Sequence, residues 1–193
     1  MSEGGVRFLF LLPIVLSPAL GAPPVEFLLA ARAQIGVTVL YDAAYADLDY
    51  PGGDVSMDRG VCTDVVVRAM RKTGLDLQKA VHEDMKRSFS AYPKFWGLRA
   101  PDRNIDHRRV PNLARFLERQ GKKLPVTKTS ADYLPGDIVT CTVPPHLPHI
   151  MIVSDRFSEE DPARPLIIHN IGQGAREEDR LFEFELTGHY RWW

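Results

Sequence analysis

Cysteine is scarce in this chain: Cys62 and Cys141 are the two present among 193 residues. Two are too few for a disulfide framework, so the fold has to be held by its own core. Neither sign of charge is in excess. Lys and Arg number 24 against 25 Asp and Glu, a net charge of -1, which gives no reason to expect nucleic acid or an anionic membrane as partner. Long apolar runs are missing too. The run from Phe8 to Leu16 is too short to cross a bilayer, so no membrane span is expected. No internal repeat or low-complexity tract appears. A chain of this length fits one domain, able to bury about 70 % of its unfolded surface without staples.

What is present begins with a leader. Arg7 precedes the apolar run, and Ala19-Leu20-Gly21 then offers the small residues a signal peptidase accepts. Residues 1–22 are therefore expected to be a cleaved secretory signal, leaving 23–193 as a single domain. The rival reading, a first core helix, is interrupted by Pro13 and Pro18. The implied location is the bacterial periplasm or the cell exterior, an oxidising compartment.

The first half of the mature chain reads as helical. Pro24 to Ile35 carries Phe27, Leu28 and Ala31 as a stripe, with Gly36 as the stop. Thr38 to Tyr41 reads as a short strand and Asp42 to Gly60 as a loop turning at Pro51-Gly52-Gly53-Asp54. A second helix over Thr63 to Lys72 buries Val65, Val66, Ala69 and Met70 on one face. Leu75 to Asn104 mixes short helical pieces with loops. Within it His82-Glu83-Asp84 has metal-ligand residue types, but neighbours on a helix point apart, so a solvated face is expected. Phe89 to Trp96 reads as a packed aromatic loop or a wall of a cleft. A further helix carries Leu113, Phe116 and Leu117 and closes at Gly121.

The second half changes period. Asp137 to Val143, Ile150 to Ser154, Pro165 to His169 and Leu181 to Leu186 are short, β-branched or aromatic, and separated by turns. Helices first and strands afterwards make an α+β pattern, with the strands most simply pairing antiparallel.

Chemistry concentrates at three residues. Cys62 stands at the start of the second helix, near unpaired backbone N–H groups and the positive end of the dipole. Such a site can bring a thiol from about 8.5 into the range of about 3.5–7.5. The plain alternative is a small buried cysteine filling a core gap. His149 opens one strand and His169 closes the next, so antiparallel pairing puts both imidazoles at one edge of the sheet. A helix packed there with its N-terminus at that edge supplies a thiol, a base and a group that fixes the base's tautomer.

These residues resemble the NlpC-type branch of the papain-like cysteine peptidases. The matching pieces are Tyr50-Pro51-Gly52-Gly53, Val61-Cys62-Thr63-Asp64, Pro135-Gly136-Asp137-Ile138-Val139, His149 to Val153, and Ile168-His169-Asn170. More closely, the chain resembles an exported bacterial family catalogued as a domain of unknown function (number 1287), from about Val25 to the C-terminus. The shared phrases are Tyr50 to Asp64, Asp106 to Asn112 and His149 to Gly172. Val61 departs from the superfamily's usual Asp, Thr63-Asp64 from its Ser-Gly. Leu75 to Gly121 is a helical insertion between nucleophile helix and sheet. The resemblance implies a papain-like fold, with N-terminal helices packed on a small antiparallel sheet, and no cofactor.

It also implies roles: Cys62 as nucleophile, His149 as general base then acid, and His169 as orienting partner. Tyr50, Tyr41 and Asn170 are candidates for oxyanion binding and support. Arg59, Arg108, Arg109 and Trp96 are candidates for substrate binding, the arginines as clamps on carboxylates. The implied substrate is an amide in peptidoglycan stem peptides, or another peptide, cleaved through a thioacyl intermediate. No regulatory or inhibitor partner can be read. Three alternatives stand beside this: an acyltransferase or thioesterase on the same trio, a wall- or protein-binding module stapled by a Cys62–Cys141 disulfide, and a zinc site on Cys62, His149 and His169.

Overall fold

The computed structural model describes residues 25–193. The expected signal, residues 1–22, lies outside the described residues. Four α-helices are found among them: α1 (Val25–Arg32), α2 (Cys62–Lys72), α3 (Leu77–Ser88) and α4 (Val110–Arg119). The strands are β1 (Leu40–Tyr41), β2 (Arg59–Gly60), β3 (Lys123–Leu124), β4 (Ile138–Val143), β5 (Leu147–Phe157), β6 (Pro165–Asn170), β7 (Ala175–Glu178) and β8 (Glu185–Tyr190). Six of them form one antiparallel sheet in the order β3-β8-β4-β5-β6-β7, while β1 and β2 pair in parallel. Helices in the first half and an antiparallel sheet in the second make the fold α+β. No described helix is long and apolar enough to cross a membrane.

Alternation along the strands divides the apolar residues between two cores. Ile138, Ile150, Ile152 and Ile168 face the helices and pack with Phe27, Val66, Met70 and Leu113. Val139, Met151, Val153 and Ile167 face the other way, against Tyr133 and Leu181. Helix α2 is the central helix. Every side chain from Cys62 to Met70 is buried, so it packs on the sheet, on α1 and against α3. Its start is fixed by the Asp64 carboxylate, which accepts the Val61 N–H at 2.7 Å in one half of a capping box.

Three expectations are corrected. Leu181 to Phe184 is a turn, and the strand begins only at Glu185. The alternation of Phe182 and Phe184 with acids arises because the turn lays its aromatics under the sheet, with Phe182 edge-on to Tyr133 at 5.5 Å. The segment after Leu75 contains one regular helix, α3, capped where Asp76 Oδ1 accepts the Gln78 N–H at 3.1 Å. Asp84 on that helix is buried rather than solvated. It accepts the Tyr92 hydroxyl and Arg119 Nε, both at 2.6 Å, so inward-facing partners replace water.

Candidate functional site

Cys62 is the first residue of α2 and is 4 % exposed. It lies on the wall of a groove of about 200 Å³ that also involves Tyr41, Trp96, Arg109, Pro111 and Pro148. The sulfur is met by the backbone N–H groups of Ile150, Thr63 and Cys62 itself, a combination that favours thiolate. Burial outweighs them and pushes the thiol up to about 12, because the small site removes water from a charge that three amides only partly replace. The low thiol value expected at a helix start is therefore not found. Tyr41 faces the same space. Burial first, then the Cys62 sulfur, push its phenol up to about 12, so it stands as a neutral O–H donor.

The two histidines are joined. His149 Nε2 and His169 Nδ1 are 2.8 Å apart and buried, and His169 Nε2 lies 3.0 Å from Glu178 Oε2 on β7. The register explains the meeting: β5, β6 and β7 are consecutive antiparallel neighbours, and His169 pairs with Arg176, two residues before Glu178. Burial works against the Glu178 carboxylate, but the bond to His169 and the charges of Arg180 and Arg176 hold it below the usual carboxylate range. Burial lowers both imidazoles, His149 to about 3 with the neighbouring His169 and Arg180 adding to the fall. Both rings are thus neutral at pH 7.

Tautomers follow from the partners. A carboxylate can only accept, so His169 Nε2 carries hydrogen and Nδ1 is its acceptor. His149 must then donate from Nε2, and its Nδ1 is a bare lone pair. Among the described residues that nitrogen makes no hydrogen bond, and none joins Cys62 to either ring. The Ile150 amide reaches the sulfur, but His149 shares the strand face of Met151 and Val153 and His169 that of Ile167, so the two rings lie on the side of the sheet away from α2 and Cys62. Glu178 was not singled out from sequence. A Glu on a short polar strand, Ala-Arg-Glu-Glu, carries no signal until the register sets it behind His169.

The other expected residues divide. Trp96 and Arg109 line the groove, with the Arg109 guanidinium 4.1 Å over the Trp96 ring. Arg108 touches the groove, yet its side chain is 2 % exposed and ion-paired to Asp64 at 3.0 Å, so it is structural and not a clamp. Arg59 is paired with Asp42 and Asp58 and does not line the groove. Tyr50 packs edge-on against His82 at 5.2 Å, away from the groove, so Tyr41 is the tyrosine at the sulfur. Asn170 is buried and donates to Gly60 O at 3.1 Å, which ties the end of β6 to β2 just before Cys62. It supports the site without entering it.

Two alternatives lose their geometry. Cys62 and Cys141 are both free and buried, packed in the two different cores, so no disulfide staples the fold. The histidines direct at each other the nitrogens a shared metal would need. Among the described residues no group of three or more His, Cys, Asp or Glu side chains is arranged to hold a metal ion.

The chain is 54 % identical over 162 residues to "Uncharacterized protein YijF" of Escherichia coli (strain K12), an alignment covering 84 % of this chain and 78 % of that one. No solved structure matches it. A protein-family model does, over residues 28–192, taking in the cysteine groove and the whole histidine relay: the chain belongs to the family described as Domain of unknown function (DUF1287).

Proposed function

We propose that the protein is an exported, papain-like cysteine hydrolase of the NlpC type that cleaves an amide in peptidoglycan stem peptides. The observation that carries this reading is Cys62 at the start of α2 on the wall of a groove, its sulfur met by the amides of Ile150, Thr63 and Cys62 itself; the Glu178–His169–His149 relay, with a bare Nδ1 on His149, stands on the adjoining strands. In the reaction, the His149 ring turns from the Met151 face of β5 towards the sulfur, and Cys62 Sγ attacks the scissile carbonyl as its proton passes to His149 Nδ1. The oxyanion is met by the first N–H groups of α2 and by the Tyr41 hydroxyl. His149 returns the proton to the leaving amine, the C–N bond breaks and a thioacyl enzyme remains. Water, deprotonated at the same nitrogen, attacks it; the acid leaves and the thiol re-forms. With both sulfur and base neutral at rest, proton transfer accompanies attack instead of preceding it.

Digestion of purified peptidoglycan by wild type, Cys62→Ala and His149→Ala, with mass analysis of the fragments, tests the reading. Wild type alone is expected to release products gaining one water per amide cut. An added amine acceptor that captures the acyl group would mark a transferase instead. Equal products from all three proteins, or none from any, would refute the proposal.

A further inference from the structure

A second hollow, of about 470 Å³, opens beside the Cys62 groove, and the two share Val110, Pro111 and Pro148. Its sheet wall carries the hydroxyls of Thr140 and Thr142 on β4 and of Thr187 and Tyr190 on β8. Thr140 and Thr142 share the strand face of Ile138, so polar side chains continue a face that is apolar deeper in the sheet. Not all of these hydroxyls are spent. Thr187 donates to Thr140 Oγ1 at 2.9 Å and the Tyr190 hydroxyl meets Thr140. Thr142, half-buried, makes no side-chain hydrogen bond among the described residues. The opposite wall is α4, with Arg115 and Glu118. Arg115 Nη1 donates to Glu118 Oε2 at 2.7 Å and Lys123 Nζ to Oε1 at 2.8 Å, so the two charged lining residues cancel. Phe95 forms the rim. It is 76 % exposed, the highest value of any large apolar side chain among the described residues, with Trp96 edge-on to it at 5.7 Å.

This lining selects by exclusion. A phosphate or carboxylate would find only cations already ion-paired to Glu118. An aliphatic side chain would cover the Thr142 hydroxyl without giving it a partner, which costs free energy. A sugar ring meets both conditions. It is a neutral body with an apolar C–H face for Phe95 and hydroxyls around its edge for Thr142, Thr187 and the Arg115–Glu118 pair. We infer that this hollow is a sugar subsite, and that the chain takes the stem peptide while it is still joined to its glycan. Pro93, Phe95 and α4 all fall within Leu75 to Gly121, the segment read from sequence as an insertion, so the insertion supplies the outer wall of the subsite. The inference rests on the hydrolase reading for the peptide beside Cys62 and on the hollow alone for the sugar.

Binding to the Cys62→Ala protein needs no turnover and isolates the subsite. The probe is chitotriose, the uncharged N-acetylglucosamine trimer, with a free stem peptide for comparison. The readout is the methyl resonances of Thr140, Thr142 and Thr187. Saturable shifts are expected with chitotriose. Phe95→Ala and Thr142→Val should each weaken its binding at least about fivefold, the scale of one lost ring contact or hydrogen bond. In turnover, wild type should cleave a stem carried on glycan with kcat/KM at least about tenfold above that for the same stem freed from sugar, since binding at a remote ring is drawn on at the reacting bond. No saturable shift with chitotriose, binding unmoved by both variants, the same methyls moved by the stem peptide and not by the sugar, or equal cleavage of linked and free stems would overturn the inference. If Thr142→Val fails to fold, Phe95→Ala decides alone, its side chain lying at the surface. Sugar binding without cleavage of any wall amide would sink the hydrolase and leave the subsite standing. Cleavage of free stems by a protein blind to chitotriose would do the reverse.

Discussion

Replacing Arg108 by Met removes the guanidinium while keeping much of the stem. In the folded chain Arg108 Nε and Nη2 lie 3.0 Å from Asp64 Oδ1 and Oδ2, and the two side chains are 2 % and 4 % exposed. Nη1 and Nη2 also donate to Ala44 O at 3.0 Å and Asp42 O at 2.9 Å. The substitution strands a buried carboxylate, which costs about 3–5 kcal/mol, and leaves two carbonyls short of a donor, each worth about 1 kcal/mol. A loss of roughly 5–7 kcal/mol is a large part of an ordinary domain's stability of about 5–15 kcal/mol. Urea unfolding followed by circular dichroism measures it. The double variant Asp64→Leu/Arg108→Met should recover part of the loss, because no charge is then left unpaired. Were Arg108 a substrate clamp instead, Arg108→Met would barely move the midpoint. A cost below about 1 kcal/mol, the range of an exposed pair, would refute the structural role.

Further outcomes follow from the same geometry. Alkylation of Cys62 by iodoacetamide should be slower at pH 7 than that of a free thiol and climb with pH beyond 9, since burial pushes the thiol up to about 12; a midpoint between about 3.5 and 7.5 would instead mark a resting ion pair. Stability should fall as pH drops below about 6.5. Unfolded histidine takes up a proton there, while burial keeps His149 and His107 neutral down to about 3 and about 4, so each adds up to about 1.4 kcal/mol per pH unit; an unchanged slope in His149→Asn would contradict this. Glu178→Ala should remove the acceptor that orders the relay. Long-range proton–nitrogen spectra should then show His149 Nδ1 losing its purely unprotonated character, with kcat reduced about 10–100-fold while the fold persists.

The α+β order was legible because apolar spacing changes near Tyr133, from a helical period to a strand period. Cys62 at a helix start and the two histidines on adjoining strands were legible too, since strand ends and helix starts leave marks of polarity and shape. Register leaves no such mark. It brings Glu178 behind His169, and nothing in Ala175 to Glu178 sets that glutamate apart from Glu177, which pairs with Arg32 on α1. Burial is equally silent. Arg108 and Arg109 are adjacent and identical in type, yet one is ion-paired inside the protein and the other stacked at the groove. The thiol's upward shift was missed for the same reason: a helix start announces the amides but not the absence of water around them.

The most direct test of the central claim is to acid-quench the protein during reaction with purified stem peptides and map the mass of the peptide containing Cys62. An acyl adduct on Cys62 is expected in wild type, absent from His149→Ala and from any protein lacking the sulfur. Product release with Cys62 unmodified at every quench time, or with Cys62 replaced by Ala, would contradict the account.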